Sequence, residues 1–322
     1  MGAKDIVTKD YTKESVVFAD AFNQYIYKGE QVIKAENLRP LDTNLTGIPH
    51  GAEGAGFPVQ RYRDALKSVT AMEDDHRVYL LLAIEAQSEV HHAMPVRNMV
   101  YDALQYAAQV EETARAHRKA RKAGEPEEME KKPDASEYLS GFYREDRLIP
   151  IITLVLYFSP GEWDGPMSLH EMLAVQDPEI LSFVSDYKLN LIAPGQMTDA
   201  EIDRFNTSLR EVMLFIKYSE DRAKLNEMVE KDDRFKNIDR KAATVISTVT
   251  GIEIENEIKE DKVNMCQALR EMMEDANKEG MQNARVAMAK RMLDEGSSSI
   301  NFIAQMTGLS VDEVQVLATE AK

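Results

Sequence analysis

The chain has 322 residues, a formal net charge of −17, a pI near 4.9 and 43% hydrophobic residues, a composition typical of globular proteins. Its longest apolar run, Leu148 to Phe158, has about half of the roughly 20 residues that a membrane span needs. The single cysteine, Cys266, excludes an internal disulfide. We therefore expect a cytoplasmic protein without membrane contact.

The acidic net charge disfavours a nucleic-acid partner, because phosphate backbones are bound by an excess of lysine and arginine. The charge is unevenly spread, however: residues 60–122 hold 10 basic and 9 acidic side chains, a net of +1. For this stretch we expect DNA contact that is weak, sensitive to salt and dependent on a metal ion.

Apolar spacing in the first part of the chain predicts a helix over residues 12–28, followed by a turn-rich connection over 30–59. Two strands, over about 59–72 and 78–84, then form a predicted hairpin. A helix begins near Pro95 and continues into a basic run of residues.

The second part of the chain is predicted to be mainly helical, after a buried strand at 148–158 and a further short strand at 187–193. No convincing strand is expected beyond residue 198. The predicted helices cover roughly 198–218, 221–231, 238–250, 259–279, 281–294, 299–306 and 311–321. We thus predict an α/β domain over residues 1–196, with a charged insertion over about 115–140, and a helical region over 197–322.

The most informative local feature is the end of the most apolar strand, where Glu85 and Gln87 project from one face. An ionised carboxylate that leaves an apolar strand needs a metal ion or a lysine or arginine partner. Asp64 lies opposite Glu85 if the register of the hairpin allows, which creates an all-oxygen pocket suited to Mg²⁺. The alternative for Asp64 is an ion pair with Arg61 or Arg63 at the strand edge.

Three segments follow one another in a distinctive order: Asp64, then Ile84-Glu85-Ala86-Gln87-Ser88-Glu89, then a helix from Met94 to Tyr106. Later segments, including Trp163 to Leu169 and Thr307-Gly308-Leu309-Ser310, continue the pattern. The chain resembles the Rpn group of recombination-promoting nucleases and putative transposases, within the PD-(D/E)XK nuclease superfamily.

This resemblance implies a restriction-endonuclease-like mixed β-sheet flanked by helices. It also implies a metal-dependent endonuclease that hydrolyses phosphodiester bonds of DNA in recombination or mobile-element biology. In that function, Asp64, Glu85 and the carbonyl of Ala86 are the implied ligands of Mg²⁺ or Mn²⁺. Asp20, on the first predicted helix, is the implied acid that orients water.

Gln87 departs from the lysine that the superfamily name indicates. Glutamine orients water but supplies neither a charge nor a useful pKa. Arg97 and Tyr101, four residues apart on one helix face, are candidate contacts to phosphate or to the carboxylates of the site.

The last forty residues have the outline of a helix-turn-helix, but the second helix carries Asp312, Glu313 and Glu320 against a single lysine. Because bases are read by basic or amide side chains, this end is better suited to interaction or oligomerisation. The methionine-rich helices of region 197–322 likewise favour a homo-oligomer.

Two functions therefore stay open from the sequence. The first is a Mg²⁺-dependent DNA endonuclease, favoured by the intact pair of Asp64 and Glu85. The second is a catalytically weak or inactive nuclease-fold protein that acts as an assembly or partner-binding module, for instance in phage defence. Gln87 and the net acidity favour the second.

Overall fold

The computed structural model describes residues 2–41, 44–47, 59–62, 64–71, 78–123, 133–252, 261–296 and 299–320. The helices are α1 (Ala3–Thr12), α2 (Ser15–Tyr27), α3 (Met94–Ala123), α4 (Ala135–Ser140), α5 (Pro178–Leu181), α6 (Asp199–Ile202), α7 (Leu209–Tyr218), α8 (Arg222–Lys231), α9 (Arg240–Thr250), α10 (Met265–Asp294), α11 (Ile300–Thr307) and α12 (Val311–Glu320). The strands are β1 (Leu38–Pro40), β2 (Asn44–Gly47), β3 (Val59–Tyr62), β4 (Ala65–Ala71), β5 (Val78–Gln87), β6 (Ile151–Tyr157), β7 (Asn190–Ile192), β8 (Ile238–Asp239) and β9 (Lys262–Val263). In these ranges, no helix is both long and apolar enough to cross a membrane.

Within the described ranges, five strands form one mixed sheet in the order β1-β4-β5-β6-β7. The pairs on the β1 side of β5 are antiparallel, and those on the β7 side are parallel. The mixed α/β class and the predicted hairpin of β4 and β5 are confirmed. The predicted strand over 59–72 is divided, since β3 pairs with β2 in a separate small sheet.

The main hydrophobic core lies on one face of this sheet and crosses the predicted boundary at residue 196. It combines Phe18 and Phe22 of α2 and Ile84 of β5 with Phe215 of α7 and Ile246 of α9, all of them fully buried. Residue 196 is therefore not a break in packing, because α1 and α2 share their apolar surface with α7 and α9. A smaller cluster joins α10, α11 and α12.

The second part of the chain differs from the prediction in several respects. The helix predicted over 198–218 is divided into α6 and α7. The second part also contains a short antiparallel pair, in which Ile238 of β8 lies opposite Val263 of β9, so the expectation of no strand was wrong. Two predicted helices are one, since α10 runs through Gly280 without a break. A single glycine costs a helix interior only about 1 kcal/mol, which thirty hydrogen-bonded residues tolerate.

The described parts of the predicted charged insertion either continue α3 or pack against it. Residues 115–123 continue α3, while 124–132 lie outside the described residues. After α4, the Tyr143 ring stacks on His117 of α3 with ring centroids 3.8 Å apart. Gly141 has a φ of +70°, and a Cβ there would lie 2.8 Å from the Cβ of Ala114. The segment around α4 thus packs back onto the helix that precedes it.

Asp20 connects the two predicted halves of the chain. This fully buried residue of α2 accepts hydrogen bonds from the main-chain N–H groups of Asn206 (3.0 Å) and Thr207 (2.8 Å) and from the Thr207 hydroxyl (2.7 Å). These partners lie just before α7, 186 residues or more along the chain. Asp20 therefore links α2 to the segment before α7, and its predicted catalytic role stays a prediction.

We expect Asp20→Ala to lower the free energy of unfolding by about 2–3 kcal/mol, because hydrogen bonds to a charged group are lost and the N–H groups of Asn206 and Thr207 lose their acceptor. Urea denaturation followed by circular dichroism measures this. Asp10→Ala, at an exposed position of α1, is the matched control and should change stability by less than about 0.5 kcal/mol. Unchanged stability of Asp20→Ala would contradict the structural role.

Candidate functional site

The site lies where β4 begins and β5 ends. Ala65 is paired with Ile84 in the antiparallel register, so continuing the ladder by one residue brings Asp64 opposite Glu85. Opposed residues of such a ladder have Cα atoms about 5 Å apart. Glu85 is fully buried and Asp64 is 6% exposed, whereas Ile84 and Ala86 point into the main core. The register that the sequence left open is thus the one that places Asp64 opposite Glu85.

Asp64 is held by a main-chain donor and by a lysine from α1. One carboxylate oxygen, Oδ2, accepts the Ala86 N–H at 2.9 Å. The other, Oδ1, lies 3.0 Å from Nζ of Lys9, a residue with a side chain 19% exposed. Arg63 and the side chain of Arg61 lie outside the described residues. Among the described residues, the cation beside Asp64 comes from α1, and the predicted alternative of an ion pair with Arg61 or Arg63 stays a prediction.

Glu85 is paired with Arg97 of α3, at 3.2 Å between Oε2 and Nη2. The Arg97 Nε in turn donates to the Tyr101 hydroxyl at 3.2 Å, and its guanidinium lies 5.6 Å from the centre of the Tyr101 ring. Burial opposes the charged form, but Glu85 and Tyr101 outweigh it and raise the pKa of Arg97 above its usual value. Arg97 is therefore a permanent cation that is fixed on both sides.

The beginning of α3 is anchored so that Arg97 faces the sheet. Met94, at the first position of the helix, is fully buried among Val155, Tyr157 and Trp163, on the opposite side of the sheet from the main core. Tyr157 and Trp163 meet edge to face at 5.3 Å. One helical turn separates Met94 from the arginine, so this apolar contact determines where the guanidinium lies.

The helix α1 is anchored equally firmly, by contacts with distant elements. The Tyr11 hydroxyl is hydrogen-bonded to Ser208 at 2.9 Å, and burial raises the pKa of Tyr11 well above its ordinary value. Lys241 of α9 pairs with Asp10 and, at 2.6 Å, with Glu14. The backbone that carries Lys9 is thus held by the second half of the chain.

A buried lysine of β4, Lys67, closes the junction between α1 and α2. Its ammonium donates to the carbonyl of Lys13 at 2.7 Å and to the Ser15 hydroxyl at 3.0 Å. Burial lowers the pKa of Lys67, against the opposing influence of Glu14. Lys67 therefore satisfies a carbonyl at the end of α1 and connects this helix directly to the strand that follows Asp64.

The remaining residues near the end of β5 are less enclosed. Gln87 is half-buried, and its carbonyl accepts the Phe158 N–H at 2.7 Å. Ser88 donates to Asp5 of α1 at 3.0 Å, which places a further carboxylate near the site. His91 and His92 are both exposed, as expected for solvated histidines in a loop.

The donor set suits a hard divalent cation. Mg²⁺ is bound in proteins by one or two carboxylates, with water and substrate phosphates completing the shell, and Asp64 and Glu85 supply two such groups. In the part of the chain that the structure describes, no three His, Cys, Asp or Glu side chains form a metal-binding group. The two carboxylates fit Mg²⁺ or Mn²⁺ in chemical type, and the predicted roles of Gln87 and the Ala86 carbonyl stay predictions.

An open depression of about 390 Å³ lies beside Arg97, at the beginning of α3. It is lined by His91, Ala93, Val96, Arg97, Val100 and Tyr101. A polyanion that entered this depression would meet the guanidinium of Arg97, the group that also contacts the buried Glu85.

Sequence reasoning missed Lys9 and Asp5, because the predicted first helix began only at residue 12. The sequence signal for a helix over these residues is limited to one apolar pair: Val7 and Tyr11 are four residues apart and both pack toward the core. Two apolar residues are too few to predict a ten-residue helix, which depends on packing against α9.

We expect Arg97→Met to lower the free energy of unfolding by about 2 kcal/mol, because it leaves Glu85 buried without its cation. Adding Glu85→Gln to this variant should restore most of the loss, since the uncompensated charge is then gone. Urea denaturation of both variants measures the effect.

The control is Arg115→Met on the same helix, where a 71% exposed side chain pairs with Glu111. Its cost should stay below about 0.5 kcal/mol. An equal loss in the free energy of unfolding for Arg97→Met and Arg115→Met would show that the ion pair of Arg97 with Glu85 is not buried.

Comparison of the chain with protein-family models, with curated proteins and with solved structures finds no match.

Proposed function

We propose that this protein is a metal-dependent DNA endonuclease with a restriction-endonuclease-like fold. The observation that carries the proposal is the register of β4 and β5, which brings the Asp64 and Glu85 carboxylates to one sheet edge in a buried setting. Two buried acids with no catalytic or binding task are costly, and a hydrophobic pair would serve the fold as well. The resemblance of the surrounding motif to the Rpn group supports the same function.

Asp64 and Glu85 would hold the ion, and Gln87, two residues beyond Glu85, would hold water through its amide. Bound there, Mg²⁺ lowers the pKa of water and offsets negative charge on the scissile phosphate. Arg97 extends from Glu85 toward the open depression, so its remaining N–H groups are available to a phosphate oxygen. In hydrolysis the water oxygen would form a P–O bond to the scissile phosphorus while the P–O bond to the leaving oxygen of the DNA backbone breaks, with a proton of the water passing to that leaving oxygen.

The described surface supports weak rather than tight DNA binding. The second half of α3 carries exposed basic side chains, namely Arg115, Arg118, Lys119 and Lys122. The chain as a whole is strongly acidic, so this short basic stretch offers only a limited number of contacts to a DNA backbone. Cleavage should therefore fall steeply as salt is raised.

We expect Glu85→Gln and Asp64→Asn each to reduce Mg²⁺-stimulated nicking of supercoiled DNA by on the order of 100-fold or more, equivalent to about 2.7 kcal/mol of transition-state stabilisation. Both changes keep the side-chain shape and remove the charge that holds the ion. Gel analysis of nicked product against time measures the rate.

Glu89→Gln, four residues further along at an exposed position, is the matched control and should cleave like the wild type. Circular dichroism shows whether the fold is intact. Undiminished nicking by a folded Glu85→Gln variant would refute the proposed metal site.

The second candidate, an assembly or partner-binding module, is favoured by one observation. Several large apolar side chains of α10, α11 and α12 are about half exposed: Met281, Met288, Phe302, Met306, Val311 and Val316. A face of this kind suits a homo-oligomer. Tight self-association in sedimentation, together with no metal-dependent cleavage, would favour this function over the nuclease.

A further inference from the structure

The two cations of the site differ in how firmly they are held. The Arg97 guanidinium contacts both Glu85 and Tyr101, and lies against the aromatic ring. Among the described residues, the Lys9 ammonium has a single polar partner, Asp64. It stands at the end of a flexible four-carbon chain, whereas the backbone of α1 is fixed by Tyr11 and by Lys241. Lys9 is thus held by fewer contacts at its charged end than Arg97 is, on a helix that is itself anchored.

The charge balance of the site requires one of these cations to move. In the described structure, two carboxylates are matched by Lys9 and Arg97. Adding a divalent cation to the same carboxylates leaves two excess positive charges among these groups, in a setting where burial strengthens their repulsion, and the nearby Asp5 carboxylate offsets at most one of them. Tyr101 keeps Arg97 in place, so Lys9 is the cation that leaves its carboxylate.

We propose that Lys9 is a displaceable counter-ion, which neutralises Asp64 in the metal-free protein, yields Asp64 to the divalent cation, and then pairs with the substrate phosphate. This inference rests on the proposed function. In this arrangement Lys9 of α1 supplies the positive charge that a lysine in place of Gln87 on β5 would supply. It also gives a reason for the contacts that anchor α1, the helix of Lys9, to the second half of the chain.

The primary test measures the affinity for Mn²⁺ alone by isothermal titration calorimetry. In Lys9→Gln the amide keeps a hydrogen bond to Asp64 but no longer competes as a charge, so we expect Mn²⁺ to bind about tenfold more tightly. Lys4→Gln, which removes an exposed charge from the same helix, should stay within about twofold of the wild type.

DNA cleavage at saturating Mn²⁺ is expected to move in the opposite direction. Lys9→Gln should cleave at least about tenfold more slowly in spite of its tighter metal binding, because the phosphate has lost its cation. Lys9→Arg keeps the charge, so its Mn²⁺ affinity and its cleavage rate should both return toward those of the wild type. A merely structural role of Lys9 would weaken both properties together.

A second measurement uses the wild-type protein, so it does not depend on the folding of a variant. Reductive methylation with and without Mn²⁺ reports the accessibility of each lysine amine by mass spectrometry. We expect the labelling rate of Lys9 to rise at least about threefold with Mn²⁺, while that of Lys4 stays constant.

The outcomes separate the inference from the proposed function. If the wild type binds Mn²⁺ but Lys9→Gln binds it no more tightly, or if the labelling of Lys9 is unchanged, the inference is overturned and the metal site stands. If neither the wild type nor any variant binds Mn²⁺, both are overturned.

Discussion

Two negative charges buried where the neighbouring strands β4 and β5 begin and end are the constraint on which the rest of this structure depends. Removing a carboxylate from water costs several kcal/mol unless a cation or strong donors replace the lost hydration. Asp64 and Glu85 therefore require partners, and the fold supplies one from each side: Lys9 on α1 and Arg97 on α3. The placement of both helices, and hence of the elements that hold them, is tied to that electrostatic requirement.

The sequence was sufficient for the local part of this arrangement. Alternation along β5 predicted that Glu85 leaves the core while Ile84 and Ala86 enter it, and the hairpin placed Asp64 within reach. The identity of the cation beside Asp64 could not be predicted, because it depends on contacts between residues far apart in sequence. The same limit applies to Asp20, a residue whose partners lie just before α7 and could not be read from its own helix.

The boundary predicted at residue 196 reflected a real change in secondary structure, from strands to helices, but the two sides of it share one core. Local sequence patterns predict which helices and strands form, whereas the core depends on which of their apolar faces pack together. Here α7 and α9 bury the apolar sides of α1 and α2, and the helical region is part of the same core that supports the sheet. It is therefore as much a support of the candidate site as the strands are.

The dependence of α1 on α9 has a consequence for the order in which the protein can fold on the ribosome. Lys9 is synthesised before Asp64, Glu85 and Arg97, yet the contacts of Tyr11 with Ser208 and of Glu14 with Lys241 form only after some two hundred further residues have followed. Contacts of such long separation form late. A nascent chain that already contains Asp64, Glu85 and Arg97 thus lacks an anchored Lys9, and the complete set of charges is assembled only when the second half has emerged.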